Sequence, residues 1–212
     1  MSFQRLSELI AQAKRQEQEG HLLTRQLEKI TSGLHSSIHF SAEKKSISSL
    51  SAFVVKYIEH TPRHLRIMVQ ASLEAQMQRW ISPIIKLTED FFLRPPACMG
   101  QEKSLLRLME SAYLAHRLIE EINDRYLLET GQILIPIDMT TANLIIHQLI
   151  GEPFANQLDA LCVTLASDLI NSQLATLKAS ASDVSAEQQK NWILAWQHWS
   201  EVLDEKNVSI SL

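Results

Sequence analysis

The segment from Leu105 to Leu128 constrains the fold of this 212-residue chain more than any other. Apolar residues recur along it at alternating spacings of three and four, at Leu105, Leu108, Ala112, Ala115, Ile119, Ile122 and Tyr126. This spacing places them on one face of an α-helix. The opposite face carries Lys103, Arg107, Glu110, Arg117, Glu121 and Arg125. From Arg117 to Glu129 the charges alternate in sign at steps of four, as on a solvated helix face. Residues 103–129 therefore predict a long amphipathic helix.

Two polar side chains, His116 and Asn123, fall within the apolar face of this helix, with Tyr113 and Glu120 at its edge. A buried polar group without a hydrogen-bond partner costs about 1–3 kcal/mol. Glu120 follows His116 by one helical turn, so its carboxylate can accept a hydrogen bond from the imidazole and raise the histidine pKa. Two interpretations stay open. The first is a histidine hydrogen-bonded in the core or an interface, and the second is a histidine held by a carboxylate in a binding pocket.

The composition favours helices throughout and excludes several classes of protein. Glycine occurs 5 times, proline 6 times, and aromatic residues make up 6% of the chain, which leaves little turn chemistry for hairpins. A net charge of −4 argues against nucleic-acid binding, which needs a basic surface. We expect no membrane span and a cytoplasmic protein, since no long apolar run and no signal-peptide core occur. Cys98 and Cys162 lie outside any CxxC motif, which favours reduced thiols.

The N-terminal half predicts helices separated by one loop. Residues 1–30 form a helix that either exposes its polar middle or breaks near Gly20, and it is a candidate dimerisation arm. Residues 31–41 predict a loop that contains His35 and His39, which lack the companion ligands of a metal site. A helix at 42–60 is expected to end before Thr61-Pro62, which has the sequence of a helix start.

Two expectations follow from the prolines in this half of the chain. A boundary at Thr61-Pro62 would keep His60 and His64 from sharing one helix, so we predict no site there. The following helix is expected to extend to about Phe92 and to kink or divide near Ile81, because Pro83 lies inside it.

The C-terminal half predicts a connector and then three more helices. Residues 132–138, QILIPID, predict an extended connector, after which Asp138 or Thr140 can cap a helix. That helix, at 141–150, is apolar around most of its circumference, which is typical of a buried helix. Its polar strip carries Asn143 and His147, either as a helix-edge pair or as part of a pocket. The next helix starts at about Phe154 and contains Cys162, which we interpret as a small core residue.

The last predicted helix carries most of the tryptophan of the chain. It follows a linker at 179–184 and a capping-box pattern at 185–188. Trp192, Trp196 and Trp199 share one face, where they either close the end of the core or form a subunit interface. Leu114, an apolar residue on a charged face, is a further interface candidate. Residues 207–212 are expected to fray.

No motif for phosphate binding, zinc proteolysis, serine hydrolysis or paired Glu-x-x-His metal ligation occurs. We therefore predict no catalytic residue, metal or cofactor, and we lean away from an enzyme. The predicted fold is all-α, an irregular bundle of about six or seven helices around the central helix 103–129 and a buried apolar helix 141–150. Its predicted parts are the helix 1–30, a single core domain 42–206 and the tail 207–212.

Two hypotheses for function survive at this point. The first is a non-enzymatic interaction or regulatory protein that acts as a homodimer or on a protein partner. The second is a pocket for a small ligand or metal, with acid–base chemistry at His116 and Glu120. The candidate ligand-binding residues are His116, Glu120, Asn123, Tyr113, Asn143 and His147.

Overall fold

A computed structural model describes residues 3–31, 46–177 and 186–205 of the protein. Within these ranges the chain forms eight α-helices and no β-strand, which confirms the all-α prediction. The helices are α1 (Phe3–Gly20), α2 (Leu22–Thr31), α3 (Ser46–Glu74), α4 (Gln78–Leu93), α5 (Leu105–Thr130), α6 (Thr140–Ile150), α7 (Glu152–Leu177) and α8 (Ala186–Glu205). The predicted loop with His35 and His39, the linker at 179–184 and the tail at 207–212 lie outside the described residues.

Helix α5 is the centre of the bundle, as predicted. It packs against α1, α2, α3, α4, α6 and α7, and its predicted apolar stripe is buried apart from the half-buried Tyr126. Ser104 caps its start by accepting from the backbone N–H of Arg107, and Gly131 ends it in the left-handed conformation (φ 72°). Because neighbouring helices surround α5, burial extends well beyond one face.

Two residues of α5 expected on the charged face are buried. Leu114 is fully enclosed, so the expected exposure of this side chain is wrong. Arg107 reaches the end of α4, where its guanidinium donates to the carbonyl of Phe92 at 2.7 Å and to the Ser111 hydroxyl. Ser111 in turn donates to the carbonyl of Phe91. Arg107 and Ser111 thus satisfy carbonyls that the C-terminus of α4 leaves unpaired.

Helix α3 is one continuous helix through Pro62, so the predicted boundary at Thr61-Pro62 is wrong. A proline inside a helix removes one backbone hydrogen bond and costs about 3 kcal/mol. Residues before the proline, such as Val54 and Ile58, and residues after it, such as Leu65 and Met68, are all buried in the same core. Because each such side chain contributes about 1.5–3 kcal/mol on burial, packing outweighs the local preference.

The break between α3 and α4 falls at residues 75–77 and not near Ile81. Gln76 adopts a left-handed conformation (φ 57°), and the backbone N–H of Met77 donates to the carbonyl of Ser72, a pattern that stops helices. Pro83 then lies in the second turn of α4. As the sixth residue of α4 it removes one intrahelical hydrogen bond, the one that would reach the carbonyl of Arg79. The buried Ile81, Ile84 and Ile85 on either side of it hold the helix in the core.

The N-terminal segment breaks where the glycine indicated. His21, between α1 and α2, has a φ of 50°, and the carboxylate of Glu17 accepts from the backbone N–H groups of Leu23 and Thr24. Most apolar residues of both helices, among them Leu6 and Leu27, are buried against α3 and α5 of the same chain, whereas Leu22 stays exposed. The apolar stripe of α1 is therefore already covered.

Helix α6 lies at the edge of the bundle, against α5 and α7, and is less buried than its sequence indicated. Asn143, Ile146 and Leu149 face inward, but Leu144 is 64% exposed. Gly151 (φ 97°) turns the chain directly into α7. Residues 131–139, which include the predicted connector 132–138, form neither helix nor strand. Met139 is the N-cap residue of α6, and the Asp138 carboxylate just before it accepts from the backbone N–H of Thr140.

Helix α8 packs on α3 and closes one end of the core. Trp192 and Trp196 are buried, and the Trp192 indole donates to the carbonyl of Leu134 in the connector. Trp199 is half-buried and donates to the carboxylate of Glu74 at 3.0 Å. Among the described residues, no helix is both long and apolar enough to cross a bilayer.

Candidate functional site

The continuity of α3 creates a group of buried polar residues that the sequence did not reveal. His60 and His64 lie one turn apart on α3, with ring centres 5.6 Å apart, so the expectation that they would not share a helix is wrong. The His64 ring also lies 5.6 Å from the ring of His116 on α5. Tyr57 stands edge-on to His116 at 4.6 Å. We refer to Tyr57, His64, His116 and Asn143 as the polar core.

Both histidines of the polar core are neutral at pH 7. Burial lowers the pKa of His116 to about 3, with a further contribution from His60. Burial likewise lowers the pKa of His64 well below its usual value, and His116, His60 and Arg63 add to the effect. The Nδ1 atoms of His64 and His116 have no hydrogen-bond partner, and His116 Nε2 lies 3.4 Å from the Thr61 hydroxyl. The prediction that Glu120 raises the pKa of His116 is wrong.

Tyr57 links the polar core to α6. Its hydroxyl donates to the Oδ1 atom of Asn143 at 2.5 Å, and burial raises the pKa of the tyrosine. Asn143 is almost fully buried, although its Nδ2 has no partner. Asn143 and His116 therefore lie in the same region, as the pocket hypothesis required. The residue between them is Tyr57, which the sequence indicated only as part of an apolar stripe.

Three of the other candidates, Tyr113, Glu120 and His147, belong to a second group at the junction with α7. We refer to Tyr113, Arg117, Glu120, His147 and Asp159 as the ionic cluster. Arg117 donates to Glu120 and to Asp159, Tyr113 donates to Asp159 at 2.8 Å, and His147 Nε2 lies 3.4 Å from the Asp159 carboxylate. Burial opposes the charge of Arg117, but the hydrogen bonds to both carboxylates raise its pKa overall.

Glu120, which was expected to orient His116, belongs instead to the ionic cluster. Its Oε2 atom binds Arg117, three residues earlier on α5, while its Oε1 atom is buried without a partner. On the charged face of α5, Arg125 pairs with Glu121 as the alternating charges predicted. Arg117 instead turns to α7, because Asp159 lies there at 3.1 Å.

Asn123 has a structural role. Its side-chain amide donates to the carbonyl of Ile135 at 2.6 Å, and its Oδ1 accepts from the backbone N–H of the same residue. These two bonds fix the connector on α5 and satisfy a buried backbone segment that has no strand partner.

A cleft of about 480 Å³ opens beside Asn123. It lies between the second half of α5, the connector and the start of α6. Its walls are formed by Glu120, Asn123, Asp124, Leu127, Ile133, Pro136, Ile137, Asp138 and Thr140. Of the six ligand-binding candidates, only Glu120 and Asn123 line this cleft.

The described residues offer no metal site, and the thiol of Cys162 is not activated. No group of three histidine, cysteine, aspartate or glutamate side chains among them is placed to hold a metal ion. Burial raises the pKa of the Cys162 thiol to about 12, and its Sγ lies 3.5 Å from the carbonyl of Leu114. Cys162 is therefore the small core residue that its sequence context predicted.

The interface candidates lie mostly inside the chain. Leu114 and Trp192 are fully buried, Trp196 nearly so, and Trp199 keeps a partial surface beside Glu74. The exposed large apolar residues lie elsewhere, at Leu22, Leu73, Leu93, Leu127, Leu128, Ile133, Leu144, Val163, Ile193 and Leu194. The apolar surface available to a partner is thus not the one that the tryptophan pattern indicated.

Comparisons with protein-family models, with curated proteins and with solved structures found no match for this chain. Its function has to be inferred from the geometry of the molecule alone.

Proposed function

We propose that the protein is a non-enzymatic interaction module that self-associates through the outward side of α6 and α7. We refer to this surface as the outer face. It consists of Thr141, Leu144, Gln148, Asn156, Gln157, Ala160, Val163 and Thr164, all of which are exposed. The observation that carries the proposal is the 64% exposure of Leu144 on a helix without a charged residue.

The charge distribution supports a protein partner at this surface. No lysine or arginine occurs between Arg125 and Lys178, a stretch that contains all of α6 and α7. The exposed acidic residues of α7, Glu152 and Asp168, lie one helical turn before Asn156 and one turn after Thr164, at the two ends of the outer face. The cores of protein interfaces are depleted in charge, whereas the free surface of a monomeric helix is normally charged.

The hydroxyl groups of α7 support the same assignment. Thr164 donates to the carbonyl of Ala160, Ser167 to that of Val163 and Ser172 to that of Leu169. Each hydroxyl has thus found a partner within its own helix. Thr164, the one of the three that belongs to the outer face, can therefore lose contact with water without leaving its hydroxyl donor unpaired.

A second copy of the chain is the partner we favour. Symmetric dimers are the commonest oligomers of globular proteins, and an uncharged face can pack against itself without like-charge repulsion. We also propose a cytoplasmic location, because Cys98 is exposed as a free thiol and Cys162 is free and buried.

The test compares two leucine substitutions. Leu144→Lys places a charge in the outer face, whereas Leu128→Lys places the same charge at a residue that is 87% exposed and lies on α5. We expect sedimentation velocity to show a loss of self-association of at least tenfold for Leu144→Lys and no change for Leu128→Lys. Equal association of both variants and the unmodified chain would refute this interface.

A further inference from the structure

We propose that the cleft beside Asn123 binds a small organic cation, an ammonium or guanidinium group attached to an apolar body. This inference does not depend on self-association. It rests on the shape of the cleft, on the chemistry of its walls and on the way its walls are held.

The size of the cleft suits a small molecule. Its volume of about 480 Å³ falls within the range of ligand sites, roughly 300–1,000 Å³. One part of its wall is apolar and consists of Leu127, Ile133, Pro136 and Ile137. Leu127 and Ile133 keep 44% and 52% of their surfaces exposed, so apolar area is available for a ligand to cover.

The charge of the cleft has one sign. Glu120, Asp124 and Asp138 line it, and no lysine, arginine or histidine of residues 3–31, 46–177 and 186–205 does. The basic partner of Glu120 is Arg117, which is shared with Asp159 and binds only the Oε2 atom of Glu120. The Oε1 atom of Glu120 is buried without a hydrogen-bond partner. A cation would therefore meet complementary charge, whereas an anion would be repelled.

The contributions of the three carboxylates differ. Asp138 already accepts from the backbone N–H of Thr140, where the N-terminus of α6 offsets part of its charge. Asp124 is exposed at the rim. We therefore assign direct contact with the cationic group to Asp124 and the positioning of α6 to Asp138. Glu120 adds negative charge behind the wall, since its Oε1 atom is buried and its Oε2 atom binds Arg117.

The walls are held in place before any ligand arrives. Asn123 forms two hydrogen bonds to Ile135, Trp192 donates to the carbonyl of Leu134 and Gln189 donates to that of Ile133. The connector is thereby fixed to both α5 and α8. A preformed site loses little conformational entropy when a ligand binds.

Three probes with one apolar body separate charge from apolar burial. We would titrate the full chain with 4-phenylbutylamine, 4-phenyl-1-butanol and 4-phenylbutyrate, and follow the backbone amides by ¹H–¹⁵N NMR. We expect saturable shifts at the connector and the start of α6 with the amine, and at least tenfold weaker binding of the alcohol and the acid. Equal binding of the three probes, or no shift at these amides with the amine, would overturn the proposal.

A pair of acidic substitutions provides the matched control. Asp124→Asn removes one carboxylate from the cleft, whereas Asp168→Asn removes an exposed carboxylate from α7. Because an exposed ion pair contributes little, we expect Asp124→Asn to weaken binding of the amine only about two- to fivefold. Asp168→Asn should leave binding unchanged, and an equal effect of both substitutions would contradict recognition by the cleft.

Discussion

The polar core and the outer face are opposite departures from the usual arrangement of a helical bundle. In the polar core, His64, His116 and Asn143 are buried where apolar side chains normally pack. On the outer face, Leu144 and Val163 meet solvent where charged side chains normally lie. Helix α6 belongs to both regions, because Asn143 faces inward and the next residue, Leu144, faces outward.

Of these two regions, only the outer face needs a partner outside the chain. In the polar core, Tyr57 binds Asn143, and the low pKa of His116 keeps the imidazole neutral. A neutral imidazole costs far less to bury than a charged one, although the Nδ1 atoms of His64 and His116 and the Nδ2 atom of Asn143 have no hydrogen-bond partner. On the outer face, by contrast, nothing in the described part of the chain covers Leu144. Exposed apolar area of this kind commonly marks an interaction surface.

The largest difference in stability is expected between a substitution of an inward-facing residue of α6 and one of an outward-facing residue of the same helix. Ile146→Ala removes a fully buried side chain and should lower the free energy of unfolding by about 2–5 kcal/mol. Leu144→Ala, two residues away, should change it by less than about 0.5 kcal/mol at a protein concentration where the chain is monomeric. Urea unfolding of both variants measures the difference. A large loss in Leu144→Ala under monomeric conditions would show that this side chain already packs within the chain.

The hydrogen bond from Tyr57 to Asn143 joins α3 to α6 within the polar core. Tyr57→Phe leaves the Oδ1 atom of Asn143 buried and unpaired, so we expect a loss of about 1–3 kcal/mol in the free energy of unfolding. The double variant Tyr57→Phe/Asn143→Leu replaces both partners by apolar groups and should recover most of this loss. If Tyr57→Phe unfolds like the unmodified chain, the bond has no structural role.

A smaller effect is expected in the pH dependence of stability. Below about pH 6.5 the unfolded chain binds a proton at His116, but the folded chain binds it only near pH 3. The free energy of unfolding should therefore fall as the pH falls through this window, by up to about 1.4 kcal/mol per pH unit for each such histidine. Glu110, whose pKa is raised to about 7 mainly by burial, acts in the opposite direction.

Comparison of variants removes the contribution of Glu110. Between pH 7 and pH 5.5, His116→Gln should lose about 1 kcal/mol less stability than the unmodified chain. His198→Gln, at an exposed position on α8, serves as the control and should follow the unmodified chain. Parallel pH profiles for His116→Gln and the unmodified chain would mean that His116 is not a neutral buried group.

Local periodicity was sufficient to predict the central helix, and the sequence QILIPID to predict the connector after it. The spacing of apolar residues in α5 is a property of that segment alone, so it survives whatever packs around it. The continuity of α3 is different. Its local signal at Thr61-Pro62 indicates a boundary, and only the burial of Val54 and Leu65 in one core reverses it.

The candidate site was predicted in part for the same reason. The sequence singled out His116 and Asn143, but their partners Tyr57 and His64 come from a helix whose course depends on that core. Glu120 lies on α5 as predicted, but its partner is Arg117 and not His116. Arg117 binds both Glu120 and Asp159 of α7, and the sequence did not show that α7 lies there. The uniform apolar character of α6 indicated burial, although a sequence does not distinguish burial within one chain from burial between two.

Native mass spectrometry of the full chain, over a range of protein concentrations, tests the central claim most directly. If the outer face of α6 and α7 is an interface between copies, an even-numbered assembly should appear and should increase with concentration. A strictly monomeric protein at every concentration would contradict self-association, and Leu144 would then be an exposed leucine without a partner.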